Sequence, residues 1–179
     1  MICKRVFEIN GNLITILNYD NFEKNVCQVR NRFVKLFGAE TMSRIPLYVD
    51  NATETSGYTP IITPVLGQYL CIKLGIKNFL DTEQIIFQFA HELCHYAFYS
   101  LLGLDKSFAN NVEESICTAM SLCILKDFYR NIQSHIDYVK RIDNLSYRNG
   151  VAIAESANYD SNQLSLIVLK ETENMRQSN

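Results

Sequence analysis

The sequence predicts an α+β fold: one domain with a small, mostly antiparallel sheet and a first helix towards the N-terminus, and helices through the remainder. Three observations predict it. Before residue 80, short apolar runs are bounded by turn-forming residues, and Asn10-Gly11 is the strongest of these signals. After residue 80, apolar residues recur at helical spacing in one segment after another. A chain of 179 residues is long enough to bury a sizeable core and of the length of one domain.

Val6 to Ile9 and Leu13 to Leu17 flank Asn10-Gly11 and read as a hairpin. A helix is expected from near Asp20, because Phe22, Val26, Val29, Phe33, Leu36 and Phe37 recur at helical spacing before Gly38. Ile45 to Val49 follows as a strand-like run. In the Thr- and Gly-rich segment from Asn51 to Thr63, Pro60 and the adjacent Pro64 limit pairing, since proline has no N–H for a ladder. Gln68 to Ile76 reads as the strand before the next helix. Asp81 is a good N-cap with Gln84 at the capping-box position, Ile85 to Leu102 contains no Pro or Gly, and Gly103 supplies a stop. A second long helix is expected from Asn111 to about Tyr129. Shorter ones follow over Ile132 to Ile142, Tyr147 to Ala157 after an Asn144 cap, and Leu164 to Lys170 after Asp160-Ser161. The polar tail from Glu171 to Asn179 is expected to fray. The chain thus divides into hairpin, helix and sheet (1–80), two long helices (81–128) and C-terminal helices (129–179), with no repeat or linker.

The most informative residues lie in the first long helix, where His91-Glu92-Leu93-Cys94-His95 forms an H-E-x-x-H set. Residues four apart share a helical face, so His91 and His95 can aim ring nitrogens at one metal ion. Glu92 lies beside that face, too offset to be a natural ligand but able to reach water at the same ion, which is the position of a general base. The expected cofactor is Zn2+. The helix is apolar nearly all round, and the expectation is burial in a core. A membrane span would place His91, Glu92 and His95 near the bilayer centre, where an acidic residue costs about 3 kcal/mol.

A catalytic zinc takes three protein ligands and keeps one position open. The third is expected where the second long helix begins, at Glu113 or Glu114. Adjacent residues point about 100° apart on a helix, so only one of the two can face the metal. Glu114 shares its side with Cys117, Thr118 and Ser121, all small enough for a close helix contact, whereas Glu113 shares its side with Cys117, Met120 and Ile124. Glu114 is the expected ligand. Glu113 is the second choice, and otherwise supports the ligands from behind or faces solvent.

With these residues the chain resembles the gluzincin zinc metallopeptidases, and in size and order of elements their small intracellular members of the ImmA/IrrE type. The resemblance covers residues 66 to 125, and its specific part is the pentapeptide. It implies a zincin-like domain in which a ligand glutamate on a second helix is followed three positions on by a small residue, here Glu114 and Cys117. Many gluzincins also carry Asp or Asn four residues after that glutamate, bonded to a zinc histidine; this chain has Thr118 there. The resemblance implies a sheet edge that pairs with an extended peptide substrate. That role is assigned to Gln68 to Lys73, with an ordinary interior strand as the other reading. It also implies an oxyanion-stabilising His, Tyr or Arg downstream. His135 is the one remaining histidine and reads more readily as a solvated surface residue; Tyr138, Tyr147 and Tyr159 are not ranked.

Peptide-bond hydrolysis with Glu92 as base is therefore the expected function, acting on a peptide or protein substrate. The alternative is a zinc-binding regulatory or binding module without turnover, which a fourth protein ligand would favour; Cys94 and Cys117 are the nearest candidates. A net charge of −2 with no long basic run gives no electrostatic case for nucleic acid. The six cysteines lie in apolar segments and lack a C-x-x-C pair, which suits free thiols in a reducing compartment. The segment from Met1 to Asn10 lacks the apolar core of a signal peptide, and a cytoplasmic location is expected.

Overall fold

The computed structural model of the chain describes residues 16–51, 60–106 and 108–177. Helix α1 (Ile16–Phe37) comes first, and Phe22, Val26, Val29 and Phe33 line its buried face. It ends at Gly38, which takes a positive φ of 85° and returns its N–H to the Val34 carbonyl at 2.9 Å. After a 3-10 turn (Thr41–Ser43) come strands β1 (Leu47–Asn51), β2 (Ile61–Val65) and β3 (Tyr69–Leu74). Helices α2 (Thr82–Leu102), α3 (Asn111–Phe128), α4 (Gln133–Arg141), α5 (Leu145–Ser156) and α6 (Ser161–Gln177) complete the described residues. The fold is α+β. No helix among the described residues is long and apolar enough to cross a membrane.

The sheet is mixed, in the order β1-β3-β2, with β1 parallel and β2 antiparallel to β3. This corrects the expected mostly antiparallel sheet. It also corrects the assignment of Gln68 to Lys73 to an edge, because β3 is the central strand. The segment limited by proline contains β2 itself: Pro64 pairs in register with Leu70, and the missing N–H is tolerated because β2 is an edge among the described strands. Leu66 and Gly67 join β2 to β3 with positive φ at both positions, as a type I′ turn requires. At the end of β1, the Asn51 side chain exchanges two hydrogen bonds with the Ile76 backbone, at 3.0 and 2.8 Å, and continues the β1–β3 pairing past the ladder.

Helix α2 is the centre of the molecule. Every residue from Ile85 to Ser100 except Gln88 is buried, between α1, the sheet, α3 and α6. Tyr96 donates its hydroxyl to the Ile45 carbonyl at 2.7 Å, locking α2 to the chain just before β1. Helix α3 is the second buried layer, held between α2 on one side and α5 and α6 on the other. Close approach to α5 depends on Gly150, where a Cβ would stand 2.6 Å from the Thr118 Cβ and 2.8 Å from the Ser115 carbonyl oxygen.

Both ends of the chain depart from expectation. Most of the hairpin expected about Asn10-Gly11 lies outside the described residues, but Ile16 and Leu17 belong to α1, so the helix begins earlier than Asp20. The tail does not fray at Glu171: α6 continues to Gln177 because Thr172 is buried, Met175 packs on the core and Arg176 donates to the Leu101 carbonyl.

Candidate metal centre

Capping sets the register of the two helices that carry the site. Asp81 accepts the Gln84 N–H at 3.0 Å at the start of α2, and Gly103 closes its end with a φ of 104°. His91 and His95 then fall one turn apart on one face, their rings edge to face with centroids 5.0 Å apart. Asn110 starts α3 by accepting the N–H groups of both Val112 and Glu113 at 2.9 Å. Glu113 and Glu114 therefore occupy its first turn, against the histidines.

His91, His95 and Glu114 each offer one donor atom, and the three lie within 4.8 Å of one another; the histidines are buried and the glutamate half-buried. His91 Nε2 is 3.3 Å from His95 Nε2, His91 Nε2 is 3.3 Å from Glu114 Oε2, and His95 Nε2 is 3.4 Å from Glu114 Oε1. Two imidazole nitrogens and a carboxylate facing one another need a proton or a cation between them. Donors about 2.0–2.1 Å from a tetrahedral ion stand roughly 3.3 Å apart along each edge; the two imidazole nitrogens stand at that distance, and the carboxylate brings a different oxygen to each of them, Oε2 to His91 and Oε1 to His95. This buried His/His/Glu group could hold a metal ion.

Glu113 does not join the donor group, and it is not solvent-facing. It is fully buried, with Oε1 2.7 Å from His95 Nδ1 and Oε2 2.9 Å from Lys106 Nζ. An Nδ1–H donated to Glu113 leaves His95 Nε2 as the nitrogen with a free lone pair. Thr118, in the position where the resemblance implies a polar partner for a zinc histidine, has no partner for its hydroxyl among the described residues and packs beneath Gly150. His91 Nδ1 likewise has no partner among the described residues.

Glu92 is buried beside this group, and burial pushes its carboxyl up against the pull of His91, His95 and a backbone hydrogen bond from Ile62. Burial opposes a charge on His95, but its hydrogen bonds to Glu113 and Glu114 prevail and push the ring up to about 10. Burial would also raise Glu114, yet the bonds from His91 and His95 hold it well below the usual carboxylate range. Tyr147, at the start of α5, stacks on His91 with ring centroids 5.6 Å apart and planes 17° apart. Burial first, then Glu114 and Glu92, push its hydroxyl up to about 12, so it stays protonated near neutral pH.

The other candidates fall elsewhere. His135 is not a solvated surface residue: it sits half-buried on α4, 3.2 Å from Glu83 and against the Phe87 ring. Tyr138 is exposed, and Tyr159 stands at the α5–α6 junction with a φ of 55°. Cys94 and Cys117 are buried, and neither is in the donor group. Lys106, Ile62 and Gly150 were not expected at the site; a lone loop lysine, an edge-strand amide and a helix glycine carry no periodic signal. Comparison of the chain with protein-family models, curated proteins and solved structures gave no match.

Proposed function

We propose that the chain is a zinc-dependent metallopeptidase of the gluzincin type, with a zincin-like domain and zinc held by His91, His95 and Glu114. The observation that carries this reading is the convergence of His91 Nε2 and His95 Nε2, 3.3 Å apart, with the Glu114 carboxylate, whose Oε2 lies 3.3 Å from the first and whose Oε1 lies 3.4 Å from the second. Two histidines and a glutamate form a set that catalytic zinc uses, and among the described residues no fourth donor joins it. Zinc held there would supply Lewis acidity, polarising a peptide carbonyl and acidifying water.

The remaining steps belong to the side chains. The Glu92 carboxylate takes the proton of the attacking water as its oxygen bonds to the carbonyl carbon, and delivers a proton to the amine as the C–N bond breaks. Its raised pKa matches both halves of that task. The Tyr147 hydroxyl, protonated and sensed by Glu92 and Glu114, is the group placed to donate to the developing oxyanion. An extended substrate would lie along β2, whose Ile62 amide touches the base, rather than along β3. The five cysteines among the described residues are free thiols, which supports a cytoplasmic setting.

The experiment is metal content of the purified wild type and His95→Ala by plasma mass spectrometry. Near-stoichiometric zinc that the variant loses supports the assignment. No zinc in either protein after reconstitution ends it.

A further inference from the structure

A buried lysine stands behind the metal ligands. Lys106 belongs to the loop between α2 and α3, yet its side chain is only 6% exposed. Lysine is almost never buried without a partner. Here Nζ lies 2.9 Å from Glu113 Oε2 and 4.3 Å from the centroid of the Tyr99 ring.

The contacts close a ring. His95 and Tyr99 are one turn apart on α2, Glu113 bonds His95 from α3, and Lys106 joins Glu113 to Tyr99. A carboxylate held only by the imidazole could pivot about that single bond and carry the ring with it. With the second oxygen fixed by an ammonium that is itself seated on an aromatic face, the carboxylate has one orientation.

We propose that Lys106 is a positioning residue of the metal centre: it fixes the Glu113 carboxylate so that Glu113 holds His95 with Nε2 turned towards the metal. The inference rests on the metallopeptidase reading above and extends it to a residue that touches neither metal nor substrate. Removing a group that orients a ligand in this way weakens metal affinity about 10- to 100-fold.

The test is zinc affinity of the full-length, metal-free chain, measured by competition with a chromophoric chelator at one pH. Wild type, Lys106→Met, Glu113→Gln and the double variant are compared. Lys106→Met should bind zinc about 10- to 100-fold more weakly, and the double variant no more weakly than Glu113→Gln alone, because the lysine acts through the glutamate. A general structural role would instead give additive losses. Additive losses, or an unchanged affinity in Lys106→Met, overturn the proposal. Should Lys106→Met fail to fold, as judged by far-ultraviolet circular dichroism, Lys106→Gln takes its place with the same two outcomes. A wild type that binds no zinc overturns the metallopeptidase reading itself, and this inference with it.

Discussion

Glu113 Oε1 lies 2.7 Å from His95 Nδ1, and so the residue next to one candidate metal donor, Glu114, orients another, His95. One turn of α3 thereby supplies both a donor, Glu114, and the group that decides which nitrogen of His95 is free to bind. The two glutamates are adjacent in sequence but differ in environment: Glu113 is fully buried and Glu114 half-buried.

Glu92→Gln separates chemistry from binding. Zinc content should remain that of the wild type while hydrolysis falls by about 10²- to 10⁴-fold, the usual worth of a general base. Metal analysis and turnover on the same preparation check it, and loss of zinc would show that Glu92 is a ligand.

The two glutamates should rank in a definite order. Glu114→Ala removes a donor atom and Glu113→Ala removes only its neighbour's support, so the first should weaken zinc more than the second, which should cost about 10- to 100-fold. Chelator competition on the two variants gives the order, and a reversal would exchange their roles.

Tyr147→Phe keeps the ring on His91 and removes the hydroxyl. Zinc affinity should hold, while kcat falls by about 10²-fold, as for loss of one oxyanion donor. An unchanged kcat would leave the ring as packing alone.

Gly150→Ala places a methyl group 2.6 Å from the Thr118 Cβ and 2.8 Å from the Ser115 carbonyl oxygen. Overpacking of this kind costs about 1–3 kcal/mol. Tyr147 lies three residues earlier on the same helix face, so the displacement of α5 should also reduce turnover. Denaturant midpoints and kcat of the variant test both effects; a midpoint equal to wild type would mean that α5 does not need a glycine at its contact with α3.

Metal removal should give the protein a pH-dependent stability. His95 has its folded pKa raised to about 10, so its contribution is complete below the ordinary value of 6.5 and disappears as pH rises through about 10. Glu114 is held low, so its contribution is present above the ordinary carboxylate value of 4.5 and is lost as pH falls below it. The urea midpoint of the chelated protein should therefore decline between pH 7 and pH 10, and saturating zinc should flatten that decline. An alkaline limb identical with and without zinc would sink the argument.

The helices of the site were legible because their signals are local. Asp81 and Gly103 bound α2, and the histidine spacing places both rings on one face whatever the helix packs against. Glu114 could be ranked above Glu113 from its small neighbours, since a close helix contact needs them. What Glu113 does could not be read, because it depends on how near α3 approaches α2 and on a loop lysine seven residues away that follows no period. β2 was hidden for a different reason: Pro64 and the Leu66-Gly67 turn contradict local strand and hairpin preferences, and they are accepted only because β3 lies alongside. The start of α1 was obscured by Ile16 and Leu17, which fit either a strand or a helix.

Pro64 has a consequence for how the molecule meets other copies of itself. Along β2, alternate residues present their backbone groups away from β3, and the Ile62 amide directed at Glu92 places Ile62 and Pro64 on that outer side. Pro64 has no N–H at all, and Ile62 turns its own towards the buried Glu92 carboxylate. The rim can accept hydrogen bonds through its carbonyls but has almost none to offer, so a second β2 laid against it would find acceptor facing acceptor. Edge-to-edge pairing of two copies of the protein is therefore discouraged at this strand.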